Sequence, residues 1–209
     1  MRDWVAWHEK YDEPGSPLQA RLEVVRSYLS AALADAPPGP ISLVSLCAGQ
    51  ARDVLGVLPA HPRRADVAAV LVEADPHNAD VARSEAAAAG LDAVDVRQAD
   101  ASMPAAYADA LPADVLLLCG IFGNVSDEDI HRTVMAAAVM GRPGCTTIWT
   151  RHRREPDLTP QVRSWFASAG FDEVAFEALE TSTMIGVGVH RLRETAPGPL
   201  PGGPLFTFR

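Results

Sequence analysis

The chain has 209 residues, of which 48% are hydrophobic and 22% charged, as expected for one globular domain that folds without metal or disulfide bonds. Its 27 acidic against 18 basic residues give a net charge of −9, which weighs against nucleic acid or an anionic membrane surface as a partner. No apolar run reaches the roughly 18 residues of a membrane span, and the start shows no signal-peptide pattern. Cys47, Cys119 and Cys145 are widely spaced, so we expect no metal site but three small core residues, with reduced thiols, in a cytoplasmic protein.

Residues 1–40 are predicted to form a helical cap. Apolar side chains recur at helical spacing between residues 17 and 35, and a proline-rich segment at 36–40 ends the pattern. The apolar side chains are Leu18, Leu22, Val25, Leu29 and Leu33. The preceding segment 4–12 is dense in aromatic residues, and two interpretations remain open. It is either an amphipathic helix that fastens the terminus to the domain or a lid over a site.

The next part of the chain alternates short strand patterns with helical patterns. The strands are predicted at 41–46, 66–72, 93–98, 114–119 and 144–150. The helices are predicted at 52–58, 76–89, 126–140 and 160–169, with Ser126 as the N-cap of the third. This alternation predicts a doubly wound α/β domain with a mostly parallel sheet and right-handed crossovers.

The last forty residues depart from this alternation. Two strand patterns, 171–179 and 184–192, are joined by a segment too short for a crossover helix, so we predict an antiparallel hairpin and seven strands in all. Residues 195–209 form a tail rich in proline and glycine that ends in an apolar segment at 205–208. We expect this tail to dock on the domain formed by residues 41–194.

The loops after the first three strands carry residues suited to a nucleotide-like ligand, which in open α/β sheets lies beyond the carboxyl ends of the strands. After the first strand, small residues at 47, 49 and 51 permit a ligand to approach the backbone, although a simple packing turn uses the same residues. Glu73 follows the second strand, where an acid accepts ribose hydroxyl groups. Asp100 follows the third, where an acid can accept from an adenine amine. Solvated acids or helix caps are the alternatives.

With the segment Cys119–Val125 after the fourth strand, these strand ends resemble the class I S-adenosylmethionine-dependent methyltransferases over residues 41–192. The glycine-rich first motif of that family aligns with Leu46–Asp53, and the hairpin matches its antiparallel seventh strand. The sequences of these motifs also resemble those of a group of actinobacterial methyltransferases. The resemblance implies a Rossmann-like fold and S-adenosyl-L-methionine as cofactor. It implies a cofactor site made of Cys47, Ala48, Gly49, Arg52, Asp53, Glu73, Ala74, Asp100, Ala101, Cys119 and Gly120.

The first loop departs from the family pattern at three positions. Cys47 and Ala51 replace glycines, and Ser45 replaces an acid that helps to hold the methionine part of the cofactor. Two consequences remain open: weaker cofactor binding, or a share of this work for Arg52 and Asp53.

Three segments are candidates to surround the methyl acceptor: the aromatic N-terminal segment, where the resemblance favours a lid, and the ends of the fourth and fifth strands. The predicted catalytic residues are His152, His8 and Asn124. The predicted substrate-binding residues are Trp4, Trp7, Tyr11, Phe122, Arg151 and Arg153. The basic cluster at 151–154 suits a carboxylate or phosphate on the substrate, and a solvated loop paired with Glu155, Asp157 or Glu173 is its alternative.

The sequence therefore predicts methyl transfer to a small-molecule acceptor, mainly by proximity and alignment of the acceptor with the methyl group. RNA or protein as acceptor, and a cofactor-binding protein without catalysis, are the alternatives. A short-chain oxidoreductase is excluded because it needs a Tyr-x-x-x-Lys pair and the only lysine, Lys10, lacks such a tyrosine. The motifs of common hydrolases are absent. A monomer and a homodimer both remain open.

Overall fold

One mixed sheet runs through the middle of the computed structural model, which describes residues 16–180 and 184–209. Its strands are β1 (Ile41–Leu46), β2 (Val67–Glu73), β3 (Val94–Gln98), β4 (Ala113–Leu118), β5 (Gly141–His152), β6 (Phe171–Leu179) and β7 (Ile185–Leu192). The α-helices are α1 (Pro17–Asp35), α2 (Val54–Val57), α3 (Pro76–Ala88), α4 (Asp127–Met140) and α5 (Thr159–Ser168). Short 3-10 turns lie at Leu58–Ala60, Arg64–Asp66, Pro104–Ala106 and Ala108–Ala110. The strands and helices predicted between residues 17 and 192 are present: α1, β1 and β6 have the predicted bounds, and the ends of the others differ by up to three residues. The segment 4–12 lies outside the described residues.

The strand order is β3-β2-β1-β4-β5-β7-β6. The first five strands are parallel to their neighbours, whereas β7 is antiparallel to both β5 and β6. The chain moves outward from β1 to β3 and then returns to place β4 beside β1, so the topological switch point lies between β1 and β4. The predicted α/β class, the seven strands and the antiparallel hairpin are confirmed.

Two apolar layers cover the faces of this sheet. Helices α1, α2 and α3 bury side chains such as Leu29 and Val54 on one face, and α4, α5 and the C-terminal tail cover the other. Adjacent residues of β4 divide between the two layers: Leu116 packs in one and Leu117 in the other. A strand buried on both faces needs apolar residues throughout, which explains the unbroken apolar pattern of β4. None of the helices in the described part of the chain is both long and apolar enough to cross a membrane.

Side-chain caps begin three helices at the carboxyl edge of the sheet. Asp53 accepts from the N–H of Val54 at 2.8 Å at the start of α2, and Asp75 caps α3 at 2.9 Å. Ser126 accepts from the N–H of Asp129 at 3.0 Å, as predicted, and starts α4. Because each cap satisfies a backbone donor that would otherwise lack a partner, these loops have defined shapes next to the strand ends.

The C-terminal segment packs against the domain through side chains and backbone. Leu205 and Phe206 are buried in the layer that also holds α4. The N–H of Leu205 donates to the carbonyl of Ser102 at 2.8 Å, and that of Arg209 donates to the carbonyl of Asn124 at 2.9 Å. The segment therefore lies along the carboxyl edge of the sheet, beside the loop that follows β4.

Candidate functional site

A cavity of about 570 Å³ opens at the carboxyl ends of β1 to β5, between α1 and the C-terminal segment. All eleven residues of the predicted cofactor site line this cavity. They come from the loops after β1, β2, β3 and β4, which the parallel topology brings to one edge of the sheet. Of the predicted catalytic and substrate-binding residues, the cavity is lined by Asn124, Arg151 and His152.

The loop after β1 has the backbone shape that glycines commonly adopt, although only one of its three key residues is glycine. Cys47, Gly49 and Ala51 have φ angles of 55°, 57° and 53°, all in the left-handed region. For a residue with a Cβ atom this conformation costs roughly 1–2 kcal/mol. The backbone is therefore strained at Cys47 and Ala51. Such strain is common where a loop binds a ligand.

The carboxylate of Glu73 joins the first loop to the second. Its two oxygens accept from the N–H of Gly49 at 2.7 Å and from the N–H of Asp75 at 2.8 Å. A carboxylate offers about four lone-pair positions, so two backbone donors leave acceptor capacity on the side that lines the cavity. Glu73 is thus held in position and can still receive two hydroxyl hydrogens.

Asp100 combines the two roles that the sequence left open. One of its carboxylate oxygens accepts from the N–H of Ser102 at 2.9 Å, which closes the turn after β3. The side chain also lines the cavity, next to the small residue Ala101. A structural turn and a polar wall for a ligand are therefore compatible at this position.

Asp53 and Arg21 bring opposite charges to the cavity wall formed by α2 and α1. Burial raises the pKa of the Asp53 carboxyl, while the Val54 N–H and the charges of Arg21 and Arg26 act in the opposite direction. Arg21 projects from α1 and lines the same cavity. Ser45, which stands where the resemblance leads one to expect an acid, also lines the cavity.

The cavity contains two thiols that are poor nucleophiles. Burial raises the pKa of the Cys119 thiol to about 12, and burial together with Glu73 and Asp100 raises the pKa of Cys47 beyond its ordinary range. Since the thiolate is the reactive form, both side chains act as small neutral walls. Cys145 is buried in the core as predicted, whereas Cys47 and Cys119 are half-buried and pack against the core where they line the cavity.

Hydrogen bonds from β5 and from within the loop hold the loop after β4 at the other end of the cavity. The N–H of Gly120 donates to the hydroxyl oxygen of Thr150 at 2.9 Å, and the side-chain amide of Asn124 donates to the carbonyl of Gly120 at 2.8 Å. The guanidinium of Arg151 donates to the carbonyl of Phe122. A Cβ atom on Gly123 would lie 3.3 Å from the His152 ring, so the ring packs closely on this glycine.

The environment of the His152 imidazole favours its neutral form, which can act as a base. Its Nδ1 atom is buried and has no hydrogen-bond partner among the described residues. Burial lowers its pKa below the ordinary value of 6.5, and the charges of Arg151 and Arg154 lower it further against the opposing effect of Asp157. The imidazole is therefore neutral near pH 7 and can accept a proton.

Two predicted substrate-binding side chains do not line the cavity. Phe122 is fully buried, with its ring centroid 5.8 Å from that of Trp149, because the loop after β4 turns this side chain into the core. Arg153 forms ion pairs with Glu180 at 2.9 Å and with Asp157 at 3.5 Å. We therefore assign Phe122 to the core and Arg153 to the ion-paired surface. Trp4, Trp7, His8 and Tyr11 lie outside the described residues, and their roles stay predictions.

Sequence reasoning missed several side chains that line the cavity, among them Arg21 and Phe208. Arg21 lies one turn from Leu18 and Val25 on the inward face of α1. A charged residue on the apolar face of a predicted helix could have indicated that this side chain lines a site. Phe208 belongs to the apolar tail that was expected to dock, but nothing in its local sequence distinguishes a core residue from a cavity wall.

No protein-family model matches the chain, and no curated protein is similar to it in sequence. Solved structures are similar in fold. An O-methyltransferase family protein from Burkholderia thailandensis has a TM-score of 0.67 at 16% identity, covering 85% of this chain and 57% of its own. The S-adenosylmethionine-dependent methyltransferase SibL has a TM-score of 0.60 at 19% identity, with coverages of 90% and 62%.

The tRNA methyltransferase TrmK of B. subtilis has a TM-score of 0.53 at 15% identity, with coverages of 84% and 66%. The chain thus spans about 57% to 66% of the length of these three proteins. At such identities the likeness concerns the fold, which is that of the Rossmann-like methyltransferases.

Proposed function

We propose that the protein transfers a methyl group from S-adenosyl-L-methionine to a small-molecule acceptor. The observation that carries this proposal is the convergence of all eleven predicted cofactor residues on one cavity at the switch point of a methyltransferase-like sheet. We also propose that the protein is related to the actinobacterial group of such enzymes that its motifs resemble.

The residues of the cavity fit this cofactor. Glu73 would receive the ribose hydroxyls, and Asp100 with Ala101 would border the adenine. The strained first loop would bring its backbone close to the ligand. Asp53 and Arg21, which carry opposite charges, would hold the amino and carboxyl groups of the methionine part in place of the acid that Ser45 replaces. When bound, the cofactor supplies a sulfonium methyl that is electrophilic without further activation.

The chain contributes alignment and a proton acceptor. Thr150, Gly120 and Asn124 hold the loop after β4, which borders the path between cofactor and acceptor. For a hydroxyl acceptor, the bound cofactor would supply the electrophilic methyl group, and the neutral imidazole of His152 would take up the hydroxyl proton. Alignment provides most of the rate enhancement, because the methyl group needs no acid catalysis.

Residues 1–40 act in this proposal as a cap on the cavity. The described part of this segment supports that role, since Leu18, Arg21, Leu22 and Val25 of α1 form one wall. The aromatic residues 4–11 would extend the same wall over the acceptor, with His8 as a second candidate base. The docked C-terminal segment borders the cavity from the opposite side.

Calorimetric titration with S-adenosylmethionine and S-adenosylhomocysteine tests the cofactor site. We expect Glu73→Gln and Asp100→Asn each to weaken binding by about tenfold or more, since each removes a hydrogen bond to a charged group. Asp92→Asn is the matched control, because Asp92 is exposed and precedes β3 at the opposite edge of the sheet.

Circular dichroism would check that each variant is folded. No binding by the wild type at millimolar ligand, or undiminished binding by the Glu73→Gln/Asp100→Asn double variant, would overturn the assignment of the site.

A further inference from the structure

The carboxylates of the cavity lie at one of its two ends, together with Arg21 and Arg52. All of its carboxylates belong to the loops after β1, β2 and β3: Asp53, Glu73, Asp75 and Asp100. The end bordered by the loop after β4, by the end of β5 and by the tail has no carboxylate among its described lining residues. Its charged lining residues are Arg151 and Arg154, beside His152. This end therefore favours an anion.

These two arginines differ from most others in the molecule. Ten arginines of the described residues form ion pairs with carboxylates within 4.0 Å, among them the intervening Arg153. Within residues 16–180 and 184–209, Arg151 and Arg154 form no such pair, and Asp127 and Asp157 act on Arg151 only from a longer distance. The Nε atom of Arg151 is also buried without a partner. Not all N–H groups of this guanidinium therefore have an acceptor. Guanidinium groups bind carboxylates or phosphates through two parallel hydrogen bonds.

An aromatic ring stands at the same end. Phe208 is 43% exposed although its neighbours Leu205 and Phe206 are buried, and it lines the cavity. Its ring meets that of Phe206 edge to face at 5.6 Å, so the buried residue supports the exposed one. An exposed phenylalanine held in this way at a cavity wall offers a flat apolar surface to a ligand.

One short loop brings these groups together. Arg151 donates to the carbonyl of Phe122, the His152 ring packs on Gly123, and the N–H that follows Phe208 donates to the carbonyl of Asn124 at 2.9 Å. Three consecutive loop residues therefore contact the cationic group, the base and the aromatic segment. The cationic group, the base and the aromatic ring thus border the same end of the cavity.

From this arrangement we infer that the methyl acceptor is a planar aromatic compound that carries an anionic group. The anion binds Arg151 and Arg154, the ring lies against Phe208, and a hydroxyl group on the ring faces His152. This inference rests on the proposed function for the methyl transfer, but the binding of the anionic ring can be measured by itself.

The experiment compares three small ligands by calorimetry, with and without S-adenosylhomocysteine: 4-hydroxybenzoate, its neutral analogue 4-hydroxybenzamide and the non-planar 4-hydroxycyclohexanecarboxylate. We expect 4-hydroxybenzoate to bind about tenfold more tightly than the amide, as a charge-assisted pair of hydrogen bonds requires. We expect it to bind severalfold more tightly than the saturated ring, as an aromatic contact requires.

Three variants and one control assign these preferences to residues. Arg151→Gln should weaken the preference for the carboxylate over the amide, and Arg151→Gln combined with Arg154→Gln should abolish it, with amide binding unchanged within about twofold. Phe208→Leu should remove the preference for the planar ring and keep the preference for charge. Arg153→Gln, which changes an arginine that is already ion-paired and does not line the cavity, should change neither.

The outcomes separate the two proposals. If S-adenosylhomocysteine fails to bind but these preferences hold, the anion site stands and the cofactor assignment falls. If S-adenosylhomocysteine binds but the carboxylate and the amide bind equally, or neither binds at millimolar concentration, the inference is overturned. A preference for charge that survives Arg151→Gln combined with Arg154→Gln would overturn it as well.

Discussion

His190 of β7 is a buried imidazole without a hydrogen-bond partner. It is 1% exposed, and neither ring nitrogen has a partner among the described residues. Its ring is stacked on that of Phe166, with centroids 4.4 Å apart and planes 7° apart. Burial lowers its pKa to about 4, with the nearby Glu173 and Arg163 acting in opposite directions. The side chain therefore packs in the core as a flat, uncharged ring.

This burial predicts a loss of stability in acid. The pKa of His190 is about 4 in the folded protein and about 6.5 when the chain is unfolded, so the unfolded state binds a proton first as the pH falls. The contribution to the free energy of unfolding is thus complete above about pH 6.5 and falls by at most about 3 kcal/mol towards pH 4. We expect His190→Phe to remove this part of the pH dependence in urea unfolding followed from pH 7.5 to 4.

The control for this prediction is His77→Gln, which alters an exposed histidine of α3. It should keep the wild-type pH dependence. If His190→Phe also keeps it, the ring of His190 does not titrate as its burial implies.

At the scale of elements, the pairing of β5 with β7 supports the end of the cavity that Arg151 and His152 line. Trp149 of β5 is fully buried and lies opposite Gly188 of β7. A Cβ atom on Gly188 would lie 2.2 Å from the indole ring, so a glycine is needed where the ring crosses the neighbouring strand. Arg151 and His152 follow Trp149 two and three residues later in the same strand, so this packing anchors the strand that carries them.

Gly188→Ala should therefore destabilise the protein by about 1–3 kcal/mol, the usual cost of an overpacked core. The measurement is the midpoint and slope of urea unfolding, compared with Gly203→Ala. A Cβ atom on Gly203 meets nothing within 4 Å, so this control should change stability by less than about 0.5 kcal/mol. Equal midpoints for the two variants would contradict the tight contact between Trp149 and Gly188.

At the scale of the whole molecule, the distribution of charge bears on the class of acceptor. The net charge is −9, and most arginines of the described residues are paired with carboxylates rather than gathered into a basic surface. A protein that binds RNA gains much of its affinity from arginines and lysines that contact phosphates. One of the similar folds is a tRNA methyltransferase, so this alternative has a direct test.

We expect no binding of fluorescently labelled tRNA at near-physiological salt, measured by anisotropy, because the net charge is −9 and most arginines of residues 16–180 and 184–209 are already paired with carboxylates. Arg151→Gln combined with Arg154→Gln serves as the comparison. A salt-dependent complex with the wild type that this double variant loses would favour an RNA acceptor over a small molecule.

The elements of the fold could be predicted because they depend on local patterns. The bounds of α1, β1 and β6 agree with the sequence prediction, since apolar spacing and proline or glycine at the ends act within a few residues. The polar cluster of Glu73 and Asp100 was also predictable, because parallel strands bring their carboxyl ends to one edge whatever the details of packing.

Only the tertiary structure decided which of two chemically identical side chains faces the cavity. Phe122 is buried against Trp149, whereas Phe208, from a tail more than 80 residues away in the chain, lines the wall. Arg153 is held by the distant Glu180, and the nearby Arg151 instead contacts the loop after β4. The strand ends are determined by local periodicity, but the direction of a side chain in a loop depends on partners that are distant in sequence. The sequence thus determined the fold and the polar residues that follow β1, β2 and β3, whereas long-range packing decided which side chains beside β4, β5 and the tail line the cavity.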